Sequence, residues 1–129
     1  MKEKNEMLDM LRNLPVERTA VRMMREDLVR INEDMKKELP AVQREALEKE
    51  RITLQSCLVA TEHHIVRVER LLSLLSPEEK QVLDRMIISP CPKVVFDLAE
   101  DLGCETSRIY RIRARALSKL VRLRYGAGE

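Results

Sequence analysis

The run from Val94 to Leu123 constrains the fold of this chain more than any other segment. It predicts a short helix, a tight turn at Gly103 and a longer helix, because glycine readily adopts the positive φ that ends many helices. Residues 106–124 carry seven basic side chains and no acidic one. Apolar residues recur between these charges, so the longer helix is expected to be basic outside and apolar inside. Two packed helices of this kind are typical of a helix-turn-helix that binds DNA.

The segment from Leu98 to Leu120 resembles region four of bacterial sigma factors, the domain that binds the upstream element of promoters. The positions that match the family pattern are Ala99, Glu100, Leu102, Gly103, Ile109, Ile112, Arg115, Ala116, Leu117, Lys119 and Leu120. The likeness extends upstream to a helix expected over residues 76–88, whose beginning LSPEEKQVL is similar to the preceding helix of the family. Glu105 departs from the pattern, because the family usually has a small hydroxyl residue there as a helix cap. Thr106 or Ser107 can cap the helix instead.

The resemblance implies that a helix over residues 106–123 reads the major groove. Residues at the start of such a helix reach the base edges, whereas later basic residues contact phosphates. Arg111 can pair with a guanine through two hydrogen bonds. The candidate DNA-binding residues are Thr106, Ser107, Arg108, Arg111, Arg113, Arg115, Lys119 and Arg122.

The N-terminal part of the chain predicts long helices. Residues that are mostly apolar recur there at intervals of three and four, which is the spacing of coiled coils: Met24, Leu28, Ile31 and Met35, and then Leu54, Leu58, Thr61, Ile65, Val68, Leu72 and Leu75. Pro15 and Pro40 each follow a leucine and predict helix boundaries, because the residue before a proline disfavours helical geometry. We therefore expect helices over residues 2–13, 15–38 and 41–75, with the two shorter helices antiparallel to the long one.

The expected fold is all-α. Residues 1–75 form an antiparallel, coiled-coil-like helical hairpin, and residues 76–129 form a small helix-turn-helix domain. Ile52, Val59, Val66 and Leu71 add apolar positions on neighbouring faces of the long helix. One antiparallel partner covers only one stripe of a helix. The additional apolar positions therefore predict a homodimer through residues 15–75.

Composition narrows the classes of function. The chain has 129 residues, a net charge of +2 and three cysteines without metal-ligand spacing, so no disulfide framework, metal site or cofactor is expected. His63 and His64 point about 100° apart on a helix, which suits a solvated face better than a metal. No apolar run is long enough to span a membrane, and the charged N-terminus does not resemble a secretory signal. We expect a cytoplasmic protein that is not an enzyme, since no phosphate-binding loop or catalytic set is present.

These observations predict a sequence-specific transcriptional regulator of bacterial or phage origin that binds double-stranded DNA. The order of a helical region and a region-four-like domain is similar to phage late-gene activators of the ArpU and RinA type. A complete sigma factor is not expected, because the N-terminal half lacks the aromatic residues that capture unpaired bases. Two alternatives remain open. One is a phage DNA-packaging component that resembles small terminase subunits, and the other is a module that docks on RNA polymerase or a sigma factor without contacting DNA.

Overall fold

A computed structural model describes residues 2–126, and every regular element within them is helical. The elements are α1 (Lys2–Met35), α2 (Ala41–Ser73), α3 (Pro77–Leu83), a π-helical turn (Asp84–Ile88), α4 (Val94–Leu102) and α5 (Thr106–Tyr125). The prediction of an all-α chain is therefore confirmed for these residues.

Contacts divide the chain into two compact units. One unit joins the residues up to Pro15 with those from Arg67 onward, and the other is Val16–Val66. In the first unit the Tyr125 hydroxyl donates a hydrogen bond of 2.8 Å to Glu6 Oε2. The start of α1 and the end of α2 therefore belong to the same unit as the C-terminal helices. The compact units do not coincide with the predicted division at residue 75. A functional division at that position stays a prediction.

The predicted helix boundary at Pro15 is wrong. Pro15 lies inside α1, which continues from Lys2 to Met35. A proline inside a helix removes one backbone hydrogen bond and costs about 3 kcal/mol. Leu11 and Leu14 are fully buried just before the proline. Their burial, at about 1.5–3 kcal/mol for each side chain, offsets that cost when the helix continues through the proline.

The unit Val16–Val66 contains two helical segments that run in opposite directions. Close to Pro15, Glu17 Oε2 contacts His64 Nδ1 of α2 at 2.7 Å. At the other end of the unit, the Arg44 guanidinium donates to the carbonyl oxygens of Met35 at 3.1 Å and Lys37 at 3.0 Å. The Met35 carbonyl ends α1 and the Lys37 carbonyl lies two residues beyond it. Neither accepts a hydrogen bond within the helix, so Arg44 satisfies both and fixes the turn before α2.

α3 begins with a capping box, where the sequence predicts the start of a helix over residues 76–88. The Ser76 hydroxyl accepts a hydrogen bond from the Glu79 backbone, and the Glu79 carboxylate accepts one from the Ser76 backbone. α3 ends at Leu83, and Ser89 N donates to Asp84 O at 2.7 Å to close the π-helical turn. One extra residue is accommodated there in the predicted helix 76–88.

The core beneath the C-terminal helices is aliphatic. Its buried residues are Val82 of α3, Leu98 and Ala99 of α4, and Ile109 and Ile112 of α5. Leu102, one of the positions that match the family pattern, packs against this core but is only partly buried. These contacts hold α3 and α4 on one side of α5 and leave the opposite side of α5 exposed.

Candidate nucleic-acid interface

The connection between α4 and α5 is three residues long. Gly103 ends α4 with φ 64° and ψ 41°, a left-handed conformation that favours glycine. Cys104 N donates to Ala99 O at 2.9 Å, which satisfies one of the last carbonyls of α4. Glu105 occupies the cap position of α5 in an extended conformation, but its side chain makes no cap hydrogen bond. Neither Thr106 nor Ser107 replaces it as a cap, because α5 already begins at Thr106.

One face of α5 is buried. Its buried residues are Ile109, Ile112, Ala116, Leu117 and Leu120. They recur at intervals of one, three and four, as expected for the core-facing side of a helix with 3.6 residues per turn.

The opposite face of α5 is a stripe of exposed residues, called here the outward stripe. Its members are spaced by four, three, four and four positions: Ser107, Arg111, Ala114, Ser118 and Arg122. No carboxylate lies on this stripe. Within residues 2–126, neither Arg111 nor Arg122 forms an ion pair or a side-chain hydrogen bond. The stripe therefore presents two uncompensated guanidinium groups with small side chains between them.

Three of the predicted basic residues lie on the flank of α5 that faces α3. The Arg108 guanidinium is 3.3 Å from Glu78 Oε1. Arg115 Nε lies 3.5 Å from Glu79 Oε2, and Lys119 Nζ lies 3.6 Å from Glu79 Oε1. The structure thus gives each of these three basic side chains a carboxylate partner, unlike the two arginines of the outward stripe.

The Glu79 carboxylate is the charged group that organises this flank. It is only 5% exposed. The hydrogen bond from the Ser76 backbone is the main cause that lowers the pKa of Glu79, and the charges of Lys119 and Arg115 lower it further, against the opposing effect of burial. Glu79 is therefore held as an anion that links the cap of α3 to α5.

The two remaining predicted residues, Thr106 and Arg113, are half-buried. Thr106 precedes the buried Ile109 by three positions, and Arg113 follows it by four, so both lie beside the core-facing side of α5. Of the eight predicted site residues, the outward stripe brings together Ser107, Arg111 and Arg122.

Three exposed residues on or beside the outward stripe are not among the predicted site residues: Tyr110, Ala114 and Ser118. Tyr110 is 57% exposed and adjoins Arg111. The available signal was spacing, because Ala114 and Ser118 follow Arg111 by three and seven positions and so share its face. A search for basic side chains alone passes over small residues of this kind.

Other kinds of site find little support in the part of the chain that the structure describes. Residues 2–126 contain no group of three or more side chains that could hold a metal ion. Cys57, Cys91 and Cys104 are free thiols. No helix among the described residues is long and apolar enough to cross a membrane.

A comparison with known proteins finds no matching family model, no matching curated protein and no matching solved structure. The functional interpretation therefore depends on the residues of this chain and their geometry.

Proposed function

We propose that this chain is a sequence-specific DNA-binding regulator of transcription, and that α4, the turn at Gly103 and α5 act as a helix-turn-helix. The outward stripe is the observation that carries the proposal. A helix enters the major groove with its solvent face, and Arg111 and Arg122 supply two positive charges on that face. No carboxylate on the stripe opposes phosphate.

The small residues of the stripe also support DNA binding. Ala114 and Ser118 lie between the two arginines and are exposed. Short side chains let a helix approach the floor of the groove, where base edges carry the sequence information. The alanine methyl can contact a thymine methyl, and the serine hydroxyl can donate to or accept from a base. Such contacts with bases are typical of direct sequence readout, whereas a purely electrostatic surface binds DNA without regard to sequence.

The proposal has a direct test in the binding of the full-length protein to a pool of randomised duplexes, followed by selection and sequencing. We expect a preferred sequence to be enriched. We also expect the affinity for that sequence to fall linearly with the logarithm of salt concentration, because each phosphate contact releases counterions. Arg22→Ala is the control in the same titration, because Arg22 is an exposed arginine outside α5. Its loss should leave the affinity for DNA unchanged. Absence of any DNA binding at low salt would contradict the proposal.

The DNA selection, together with the number of copies in the assembled protein, separates the two alternatives. Binding without an enriched sequence, together with rings of many copies, would favour the DNA-packaging component. Failure to bind DNA would favour the module that docks on RNA polymerase or a sigma factor. The similarity to region four of sigma factors, and to phage late activators, remains part of the proposal and has its support in the residues of α4 and α5.

We also propose that the protein dimerises through the region of residues 15–75. Ile52, Val59 and Val66 of α2 are spaced by seven positions and are 53%, 46% and 44% exposed. A seven-residue apolar spacing on an exposed helix face is typical of a helix that packs against another helix. A dimer would hold two α5 helices on one stretch of DNA, because a single helix contacts too few bases to be selective.

A further inference from the structure

α4 presents an exposed aromatic side chain beside negative charge. Phe96, the single phenylalanine of the chain, is 70% exposed although the other side of α4 is buried through Leu98. Glu100 lies one helical turn beyond Phe96 and is also exposed. Asp97, Glu100 and Asp101 are the three carboxylates of α4, and α4 contains no basic residue. We call Phe96 and these three carboxylates the α4 face.

The charges of the α4 face are only partly compensated. The Arg85 guanidinium contacts Asp101 at 2.7 Å and is also within electrostatic range of Asp97. Glu100 forms no ion pair within residues 2–126. Carboxylates repel phosphates, so neither a DNA backbone nor an anionic lipid surface fits this face. The surface that fits is apolar and positively charged.

A groove with those properties lies in the same compact unit. It is lined by the last turns of α2, by Leu74 just beyond α2 and by the last turn of α5, and its volume is about 210 Å³. The lining residues are Arg67, Arg70, Leu71, Leu74, Leu123 and Arg124. Leu74 is 56% exposed and Leu123 is 44% exposed. Among residues 2–126, no carboxylate lines the groove. We call it the arginine groove.

Size and charge both match the α4 face to the arginine groove. A cavity of about 150 Å³ lined by aliphatic side chains holds a benzene ring, so the groove has room for the phenyl ring of Phe96. Three arginines around leucine side chains complement a phenylalanine surrounded by carboxylates. Aromatic side chains that fill a pocket of the partner are typical anchors of protein–protein contacts.

We infer that the α4 face of one copy of the protein binds the arginine groove of a second copy. Each copy carries one face and one groove, so the contact is head-to-tail and either closes a pair or adds further copies. It uses neither the outward stripe nor the seven-residue stripe of α2. In a protein that binds DNA, this contact would let copies occupy neighbouring DNA sites cooperatively. The contact itself does not require DNA.

The test mixes two full-length variants that each lack one half of the contact. Phe96→Asp removes the aromatic anchor, and Leu74→Asp places a carboxylate in the groove. Both positions are exposed, so the fold should be retained, which circular dichroism can verify. All proteins carry Val59→Asp so that the seven-residue stripe of α2 makes no contribution. Val42→Asp serves as the matched control, because Val42 is 79% exposed and belongs to neither surface.

We expect the mass measured by sedimentation to rise with concentration for the parent and for the Val42→Asp control. Each single variant should associate at least about tenfold more weakly, as for the loss of a central aromatic anchor. An equimolar mixture should regain association but stop at pairs. Phe96 of the Leu74→Asp copy still meets an intact groove on the Phe96→Asp copy, and no second contact can form. A parent that stays monomeric, single variants that associate like the control, or a mixture that regains nothing would each overturn the inference.

A second measurement does not depend on any substitution in the groove. A photoreactive phenylalanine analogue at position 96 should crosslink to residues 71–74 or 123–124 of another copy. Mixing copies that carry different nitrogen isotopes identifies crosslinks between chains by mass spectrometry. Raised salt should reduce the yield, because exposed ion pairs are screened. Crosslinks confined to one chain, or to residues outside the groove, would refute the assignment.

Discussion

Arg111 and Arg122 have the same chemistry but lie at different distances from the start of α5. Arg111 is the sixth residue of the helix and Arg122 is the seventeenth. The first turns of a reading helix reach base edges, whereas its later turns lie over the backbone. Their substitutions should therefore affect DNA binding in different ways.

Arg111→Ala should lower the preference for the selected sequence by about 1–3 kcal/mol, the value of one bidentate arginine–guanine pair. Arg122→Ala should instead weaken all duplexes by a similar factor and reduce the salt slope by about one unit. Titration of the selected duplex and of a scrambled duplex with each variant measures both effects. Equal losses on the two duplexes for Arg111→Ala would contradict its role in base readout.

Glu79 should make the stability of the protein depend on pH. Its pKa is lowered from 4.5 in the folded protein, so its stabilising contribution is present above the pKa of the unfolded chain. That contribution is lost as the pH falls through the lower pKa of the folded state. Glu79→Gln should destabilise the protein by about 1–3 kcal/mol at neutral pH, because a buried charged partner is removed. Between neutral and acid pH, the melting temperature of the Glu79→Gln variant should therefore fall less than that of the unmodified protein. Glu26→Gln, at an exposed site, is the control, and parallel pH profiles would contradict the prediction.

The start of α5 lacks a side-chain cap. Glu105 holds the cap position, and its carboxylate leaves the first backbone N–H groups of the helix without a side-chain partner. Glu105→Ser should stabilise the protein by about 0.5–2 kcal/mol, since a serine hydroxyl at this position can accept from the third residue of the helix. Thermal unfolding measures the change, and Glu105→Ala separates the new hydrogen bond from the mere loss of a charge. Equal stability of the serine and alanine variants would show that no cap forms.

Pro15 is the irregular residue of α1. Pro15→Ala restores a backbone N–H that can bond to the Leu11 carbonyl, and it should raise the free energy of unfolding by about 1–3 kcal/mol. Pro40→Ala is the matched control, because Pro40 precedes α2 and lies outside the helix. Its loss should give no gain, since a proline in a connection restricts the unfolded chain. Chemical denaturation compares the two variants, and an equal response would contradict the helical role of residue 15.

The assembled protein should depend on the seven-residue stripe of α2. Val59→Asp places a charge at the centre of that stripe, between Ile52 and Val66. In a protein that also carries Phe96→Asp, which removes the contact of the α4 face, it should convert a dimer into monomers. A folded α2 should tolerate the change because Val59 is exposed. Light scattering measures the mass, with Val42→Asp as the matched control. A protein that is already monomeric before the substitution would contradict dimerisation through residues 15–75.

The architecture around α5 follows from local signals. Gly103, the Ser76–Glu79 capping box and the apolar spacing of α5 each act within a few residues, so their physical effects can be read from neighbouring positions. They sufficed to predict the turn, the start of α3 and the buried face of α5. The same spacing could have defined the outward stripe, had small residues been counted with the basic ones.

The sequence alone determined that the chain is helical, because helix-forming residues and three-to-four spacing recur along most of it. Tertiary structure decided what local rules could not. Burial of Leu11 and Leu14 carries α1 through Pro15, although a proline by itself predicts an end. A single buried carboxylate, Glu79, pairs with Arg115 and Lys119 and so compensates two cations of a uniformly basic helix. Charge in a sequence shows how many cations are present, whereas only the fold sets which of them have an anionic partner and which face solvent.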